Sequence, residues 1–188
     1  MLAVLALFFK QVLHFDQDVS TILYHAFTAL CYFTPLLGAI IADSFVGKFR
    51  TIFYISIIYA IGQAVLTIGA IGNTENENDG IEGLPADVLA YIGLLLIAMG
   101  TGGIKPCVAS FGGEQFKLPE QASYMASFFS MFYASINAGS LISTILTPIL
   151  RQNTTCFGQN TCYPLAFGVP AALMIVAIGN VNKLSALL

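Results

Sequence analysis

The chain has 188 residues, of which 57% are hydrophobic and 9% are charged, whereas an ordinary soluble domain is about 25% charged. Such a composition argues against a water-soluble globule. Seven basic and ten acidic residues give a formal net charge of −3 without a basic block, which argues against nucleic acid as a partner. The four cysteines have neither zinc-site nor CxxC spacing, so no metal site is predicted.

Apolar runs long enough to cross a bilayer dominate the chain, because a membrane helix needs about 20 mostly apolar residues. Five segments qualify, and they run from Ile22 to Ala42, Ile52 to Gly72, Val88 to Ser110, Met125 to Leu150 and Tyr163 to Ile178. The predicted fold is an all-α, polytopic membrane helix bundle. A sixth piece, Met1 to Leu13, is too short to cross and lacks the features of a signal peptide. We interpret it as the second half of a spanning helix.

The charges of the connecting loops predict an orientation. The link after the first full span carries Lys48 and Arg50, whereas the loop from Asn73 to Asp87 is acidic and has no basic residue. By the positive-inside tendency, the basic link faces the cytoplasm and the acidic loop faces outward. Lys10 and Arg151 fall on the outer side and oppose this assignment.

The loop after the fourth full span carries two features typical of the outer side of a membrane. It contains the sequon Asn153-Thr154-Thr155, a candidate glycosylation site, and the pair Cys156 and Cys162, a candidate disulfide. Both suit an oxidising, glycosylating lumen and favour a eukaryotic membrane protein of the secretory route. Each feature has an ordinary alternative, because short sequons arise by chance and many free cysteines are inert.

A histidine and a tyrosine share one face of the first full span. His25 and Tyr32 are seven residues apart, and seven steps of 100° leave their side chains about 20° apart on a helix. Tyr24 precedes the histidine. Histidine changes its charge near neutral pH, as a proton-coupled carrier requires. The alternative is a helix-end histidine at the lipid headgroups.

A lysine lies in the glycine-rich segment GTGGIKP, late in the third full span. Lys105 could pair with an anionic substrate, and the neighbouring glycines and Pro106 allow close backbone approach or a broken helix that lines a cavity. The alternative is a lysine that snorkels towards the cytoplasmic face. A nucleotide-binding loop is excluded, because neither GxGxxG nor GxxxxGK[ST] is completed.

Two further polar features lie in or beside the spans. Asn137 follows Tyr133 by four residues and therefore shares its helix face; its amide could contact a peptide-like ligand or hold two helices together. The stretch GAIIADSFVGKFR places Asp43 at a helix end, with Lys48 and Arg50 just beyond. These charges predict an ion-pair clasp at the membrane boundary, with simple cytoplasmic anchoring as the alternative.

Four ordered blocks then resemble the proton-coupled oligopeptide transporter family of the major facilitator superfamily, in particular its animal di- and tripeptide carriers. They are STILYHAFTALCYFTPLLGAIIADSFVGKFRTI, GTGGIKPCVASFGGEQF, FFSMFYASINAGSLISTILTP and CYPLAFGVPAALM. The resemblance runs from about Met1 to Ala177. It implies that residues 1–178 form a partial N-terminal six-helix bundle, with part of the first helix and all of the second to sixth. Residues 179–188 form a divergent tail.

The resemblance also implies a function, which is symport of di- and tripeptides with protons as the coupling ion and without another cofactor. The implied roles are proton coupling for His25 and Tyr24, and peptide binding for Tyr32, Lys105, Tyr133 and Asn137, with Lys105 on the substrate carboxylate. Gly38, Asp43, Gly47 and Arg50 match the signature loop of the superfamily. A multi-pass protein of the plasma membrane follows from the same resemblance.

Family members have twelve or more spans, and their first helix carries a Glu-x-x-Glu-Arg motif that would lie before Met1. We therefore expect the isolated chain to transport poorly. The alternative function is a non-transporting isoform that associates with a full-length carrier and modulates it. An enzyme is disfavoured, because the segment His14-Phe15-Asp16 offers acid and base groups without a nucleophile.

Overall fold

The computed structural model describes residues 2–72, 86–156 and 161–185, and this part of the chain forms six α-helices. They are α1 (Leu2–Gln11), α2 (Gln17–Ile41), α3 (Lys48–Gly72), α4 (Ala86–Gly113), α5 (Ala122–Gln152) and α6 (Tyr163–Ser185). A π-helical turn, Ala42–Val46, extends α2. Five of these helices, α2 to α6, are long and apolar enough to cross a membrane. The predicted all-helical, multi-pass architecture is confirmed.

The helices extend beyond the predicted apolar spans. Helix α3 begins at Lys48 instead of Ile52, and α6 continues past Ile178 to Ser185. Hydropathy locates the hydrocarbon core, whereas helical hydrogen bonding continues into the headgroup region, where polar side chains are solvated. The sequence boundary at residue 178 is therefore not a helix end. Most of the acidic loop, residues 73–85, lies outside the described residues.

The short helix α1 belongs to the core of the bundle. Its residues Val4, Leu5, Phe8 and Phe9 are at most 1% exposed. The Phe8 ring meets Phe167 of α6 edge-on, with the ring centroids 5.2 Å apart. Edge-to-face pairs of this kind add to the contribution of apolar packing, so α1 anchors one end of α6.

Glycines bring α2 and α4 into close contact. A Cβ atom added to Gly38 would lie 2.5 Å from the Cα atom of Gly103, and one added to Gly102 would lie 1.8 Å from Oγ1 of Thr34. The Thr34 hydroxyl donates a hydrogen bond to the Ala98 carbonyl of α4 at 2.9 Å. Small residues and interhelical hydrogen bonds drive helix association in membranes. This α2–α4 crossing fixes the relative position of the two helices.

Helix α5 is attached to the rest of the bundle mainly at its two ends. Near its start, Phe128 packs over Gly112 of α4, where an added Cβ would lie 2.5 Å from the ring. Near its end, Arg151 contacts α1 and α6. Between these points, every residue from 133 to 142 is exposed. The middle of α5 is therefore an unpacked face.

Adding a methyl group at the α2–α4 crossing tests how closely the two helices pack. We expect Gly102→Ala to lower the free energy of unfolding by about 1–3 kcal/mol, because the new Cβ would overlap Thr34 and force the two helices apart. The matched control is Gly139→Ala in α5, where an added Cβ has no neighbour within 4 Å and alanine favours the helix. Detergent unfolding of both variants measures the difference, and equal stabilities would contradict the prediction.

Candidate functional site

A cavity of about 210 Å³ lies between the first four helices. Its lining consists of Leu5 of α1, Phe27, Thr28, Cys31 and Tyr32 of α2, Tyr59 of α3, and Ile97, Thr101 and Lys105 of α4. Two of the six predicted proton-coupling and peptide-binding residues, Tyr32 and Lys105, thus face the same space from different helices. The α2–α4 crossing sets their separation.

Lys105 is the charged group of this cavity. Its side chain is exposed, and within the described ranges it forms no ion pair with a carboxylate. Two of the hydroxyls of the wall already have partners: Thr28 donates to the Tyr24 carbonyl at 2.8 Å, and the Tyr59 hydroxyl accepts from Nε2 of Gln63 at 3.0 Å. The hydroxyls of Tyr32 and Thr101 also line the cavity. The cavity therefore offers one cation and several fixed dipoles to a ligand.

The glycine-rich segment around Lys105 is a close-packed part of a continuous helix. Helix α4 passes through Pro106 without a break, although proline cannot donate a hydrogen bond to the carbonyl of residue 102. The Ser110 hydroxyl donates to the Pro106 carbonyl at 2.9 Å. Of the two expectations for this segment, close backbone approach is confirmed, and a broken helix is wrong because α4 keeps its helical path.

The predicted proton-coupling pair lies outside the lining of this cavity. His25 is exposed, and the Tyr24 ring meets it edge-on with the ring centroids 5.5 Å apart. Tyr24 lines a separate recess of about 290 Å³ between α1 and α2, together with Lys10 and Gln17. Tyr32 is seven residues beyond His25 on α2, so the two residues lie about 10 Å apart along the helix axis.

Tyr133 and Asn137 also lie outside this cavity, on the unpacked face of α5. Both side chains are exposed. The Tyr133 ring stacks on Phe129, with 6.4 Å between the ring centroids, and meets Phe132 edge-on at 5.7 Å. The shared helix face of Tyr133 and Asn137 points to one potential contact surface, separate from the wall formed by Tyr32 and Lys105.

The Lys48 part of the predicted charge clasp forms at the junction of α2 and α3, whereas Arg50 forms no ion pair within the described residues. Lys48 lies 3.5 Å from the Asp43 carboxylate and also pairs with Glu114 just beyond α4. Gly47 turns the chain with a φ of +84°, which glycine adopts without strain. Gly38 serves the helix crossing instead of the loop. Sequence reasoning did not single out Glu114, although the block GTGGIKPCVASFGGEQF contains it.

Sequence reasoning also missed a polar cluster at the opposite end of the bundle. Arg151, only 7% exposed, donates to Oε1 of Gln11 at 3.0 Å and to the Tyr163 hydroxyl at 2.9 Å. The Tyr163 hydroxyl in turn donates to Gln11 at 2.6 Å. This Arg151 cluster joins α1, α5 and α6. The sequence signal for this cluster was Arg151 itself, a basic residue on the outer side, where the positive-inside rule disfavours basic residues.

The loop beside the Arg151 cluster contains the predicted disulfide. Cys156 and Cys162 are bonded, which confirms the pairing. The Cys162 amide donates to the Arg151 carbonyl at 2.8 Å, so the disulfide and the polar cluster restrain the same connection. Asn153 ends α5 and is exposed, as a glycosylation site requires, and its modification stays a prediction.

Five membrane-length helices define an integral, multi-pass membrane protein. Three of them, together with α1, surround a cavity that contains an unpaired cation. The family model described as POT family matches residues 49–180, which is more than half of the chain. The chain therefore belongs to the POT family, a family of transporters and not of enzymes.

Known relatives agree with this assignment. The chain is 57% identical to solute carrier family 15 member 2 of Danio rerio and to solute carrier family 15 member 1 of Rattus norvegicus. It is 49% identical to peptide transporter family 1 of Drosophila melanogaster. Each match covers 95% of this chain but only 24%, 26% and 23% of the respective relative. The chain thus spans about a quarter of the length of these relatives.

Solved structures give the same result. A crystal structure of the POT family transporter PepTSo is 37% identical, with a TM-score of 0.78 over 96% of this chain and 33% of that chain. A crystal structure of a proton dependent oligopeptide (POT) family transporter is 35% identical, with a TM-score of 0.78 over 99% of this chain and 37% of that chain. The helical bundle is therefore a part of the fold of these transporters.

Removing one hydroxyl from the Arg151 cluster tests its contribution to stability. We expect Tyr163→Phe to lower the free energy of unfolding by about 1–3 kcal/mol, because a buried arginine loses one of its two acceptors. The control is Tyr133→Phe, which removes the hydroxyl of an exposed side chain and should change stability by less than about 0.5 kcal/mol. Detergent unfolding measures both, and an unchanged Tyr163→Phe variant would contradict the prediction.

Proposed function

We propose that this chain forms one wall of the substrate cavity of a proton-coupled symporter of di- and tripeptides. The observation that carries the proposal is the unpaired cation of Lys105 beside Tyr32, in a cavity between membrane-spanning helices. A charged group within a membrane is costly and is usually retained for function. An unpaired ammonium at this position favours an anionic ligand group.

The carboxylate of a peptide is the ligand group that suits Lys105 best. A cavity of about 210 Å³ accommodates the end of a peptide more readily than the whole molecule. A charge-assisted hydrogen bond from the ammonium would hold the carboxylate, and such bonds are the stronger ones in proteins. Tyr32 and the hydroxyl of Thr101 supply further polar contacts beside it.

The other end of the peptide would contact α5 in the complete transporter. Asn137 can accept a hydrogen bond from a peptide amine and donate one to a peptide carbonyl. Its exposure, together with that of Tyr133, leaves both side chains available. In secondary transporters, substrate sites lie between two repeats, each of which supplies one wall. This chain would supply one of these walls.

The proton would use His25, with the Tyr24 ring packed against it. The His25 side chain is exposed and lies about two turns into α2, and histidine is a residue type that proteins use for proton transfer. The proton site would then be separate from the carboxylate site, on the same helix. The plasma membrane is the proposed location, with Asn153 and the disulfide loop on the outer side.

The uptake experiment uses a chimera, because the chain spans about a quarter of its relatives. Residues 1–178 replace the aligned part of the Drosophila peptide transporter family 1, and labelled dipeptide uptake is measured in proteoliposomes. We expect uptake to rise as the external pH falls. In the chimera, Lys105→Gln should weaken binding of a dipeptide by about tenfold or more, because a hydrogen bond to a charged group is lost.

A C-terminally amidated dipeptide makes this test specific, because it lacks the carboxylate. Lys105→Gln should leave its weaker binding nearly unchanged, whereas Lys105→Arg should keep the preference for the free carboxylate. Lys117→Gln, which removes an exposed cation beyond α4, serves as the charge-matched control. Equal losses for the free and the amidated peptide would contradict a carboxylate role for Lys105, and pH-independent uptake would contradict proton coupling.

A second candidate function is association with a full-length carrier, and the exposed stretch 133–142 of α5 favours it. We expect co-expression with the Drosophila relative to change its uptake and the two proteins to co-purify in mild detergent. Leu141→Gln on α5 should abolish co-purification, whereas Leu173→Gln on α6 should not, although these leucines are 64% and 65% exposed. Unchanged uptake without co-purification would contradict this function.

A further inference from the structure

A second, apolar space lies on a different part of the bundle from the Lys105 cavity. This α2–α3 crevice, of about 290 Å³, opens between α2 and α3 and has α4 at its base. Its lining includes Leu37 and Ile41 of α2, Tyr54 and Ile58 of α3, and Met99 of α4. Its lining is mainly apolar, and this composition suits an acyl chain.

One wall of the crevice has the polarity profile of a membrane interface. Arg50, Tyr54 and Ile58 follow each other at intervals of four residues along α3, and such residues share one helix face. The profile changes from a cation to an amphipathic aromatic ring and then to an aliphatic chain over about 12 Å. Tyrosine is enriched where lipid headgroups meet hydrocarbon, and Tyr54 is 59% exposed.

The cation one helical turn before Tyr54 has no carboxylate partner. Arg50 is exposed and forms no ion pair within the described part of the chain, whereas its neighbour Lys48 pairs with both Asp43 and Glu114. These four charges line one surface recess, and Val46 belongs to the lining of both this recess and the crevice. Lys48 pairs with both carboxylates, and Arg50 is left without an ion-pair partner among the described residues.

We infer that the α2–α3 crevice binds a phospholipid, with one acyl chain between α2 and α3 and the phosphate on Arg50. A guanidinium binds phosphate oxygens with two parallel hydrogen bonds, and the apolar wall begins one helical turn away at Tyr54. The lipid belongs to the leaflet that meets the α2–α3 junction. This site is independent of the proposed peptide site, because the two spaces have no lining residue in common.

Photolabelling of the full 188-residue chain in phosphatidylcholine nanodiscs tests this site. The probes are phosphatidylglycerol and diacylglycerol that carry the same photoreactive acyl chain and differ in the phosphate headgroup. We expect phosphatidylglycerol to label residues of the crevice about fivefold more than diacylglycerol, as expected for one basic residue near a lipid surface. Mass spectrometry of the labelled peptides locates the adducts.

Substitutions of Arg50 separate headgroup recognition from general lipid contact. With Arg50→Gln, the two probes should label the crevice equally. Arg50→Lys should retain most of the preference for phosphatidylglycerol over diacylglycerol. Lys117→Gln is the charge-matched control away from the crevice and should leave labelling unchanged. Circular dichroism verifies that each variant keeps its helical content.

Four results would overturn the inference. The first is equal labelling by both probes in the parent chain, and the second is an undiminished phosphatidylglycerol preference in Arg50→Gln. The third is a pattern of adducts on α5 and α6 instead of α2 and α3. Cross-links between two copies of the chain at this crevice would also overturn it, because a protein would then occupy the space assigned to the lipid.

Discussion

The contact between the backbones of α2 and α4 is the constraint on which the rest of the bundle depends. Gly38 and Gly102 lack the side chains that would separate the two helices, and Thr34 adds a hydrogen bond across the contact. In lipid, helices have no hydrophobic driving force for association. Close packing and interhelical hydrogen bonds drive their association instead. The same crossing separates two spaces, with Lys105 lining one and Gly38 and Gly103 lining the other.

The sequence predicted the helices well and their mutual arrangement poorly. Hydropathy identified all five spans, because the bilayer imposes a minimum length on apolar runs. Helical periodicity correctly related residues within one helix, such as Tyr133 to Asn137. Which helices share a cavity is a tertiary property, so spacing could not reveal that Lys105 meets Tyr32 while Asn137 lies on a separate face. The Gly102 contact was equally hidden, because a glycine near a proline also suggests a broken helix.

Contacts at the two ends of α5 explain how an unpacked middle segment persists. Near the start of the helix, the aromatic rings of Phe128 and Phe129 lie on Gly112 and Gly113. Near its end, the Arg151 cluster and the disulfide loop hold the chain to α1 and α6. Two fixed ends hold a rigid helix in place without continuous packing, so residues 133–142 can present polar side chains to a ligand or to another helix.

Four cations of this protein lie in two kinds of environment, with partners from the protein itself or without them. Arg151 is buried and its Nη1 donates to two neutral acceptors, although its Nε has no partner, and Lys48 is matched by two carboxylates. Removing charge from water is costly unless partners compensate, so these two arrangements stabilise the fold. Lys105 and Arg50 lack such partners within the described residues, and each lies at the edge of a cavity. This lack of partners is the reason why we propose a ligand from outside the chain for each of them, a carboxylate for Lys105 and a phosphate for Arg50.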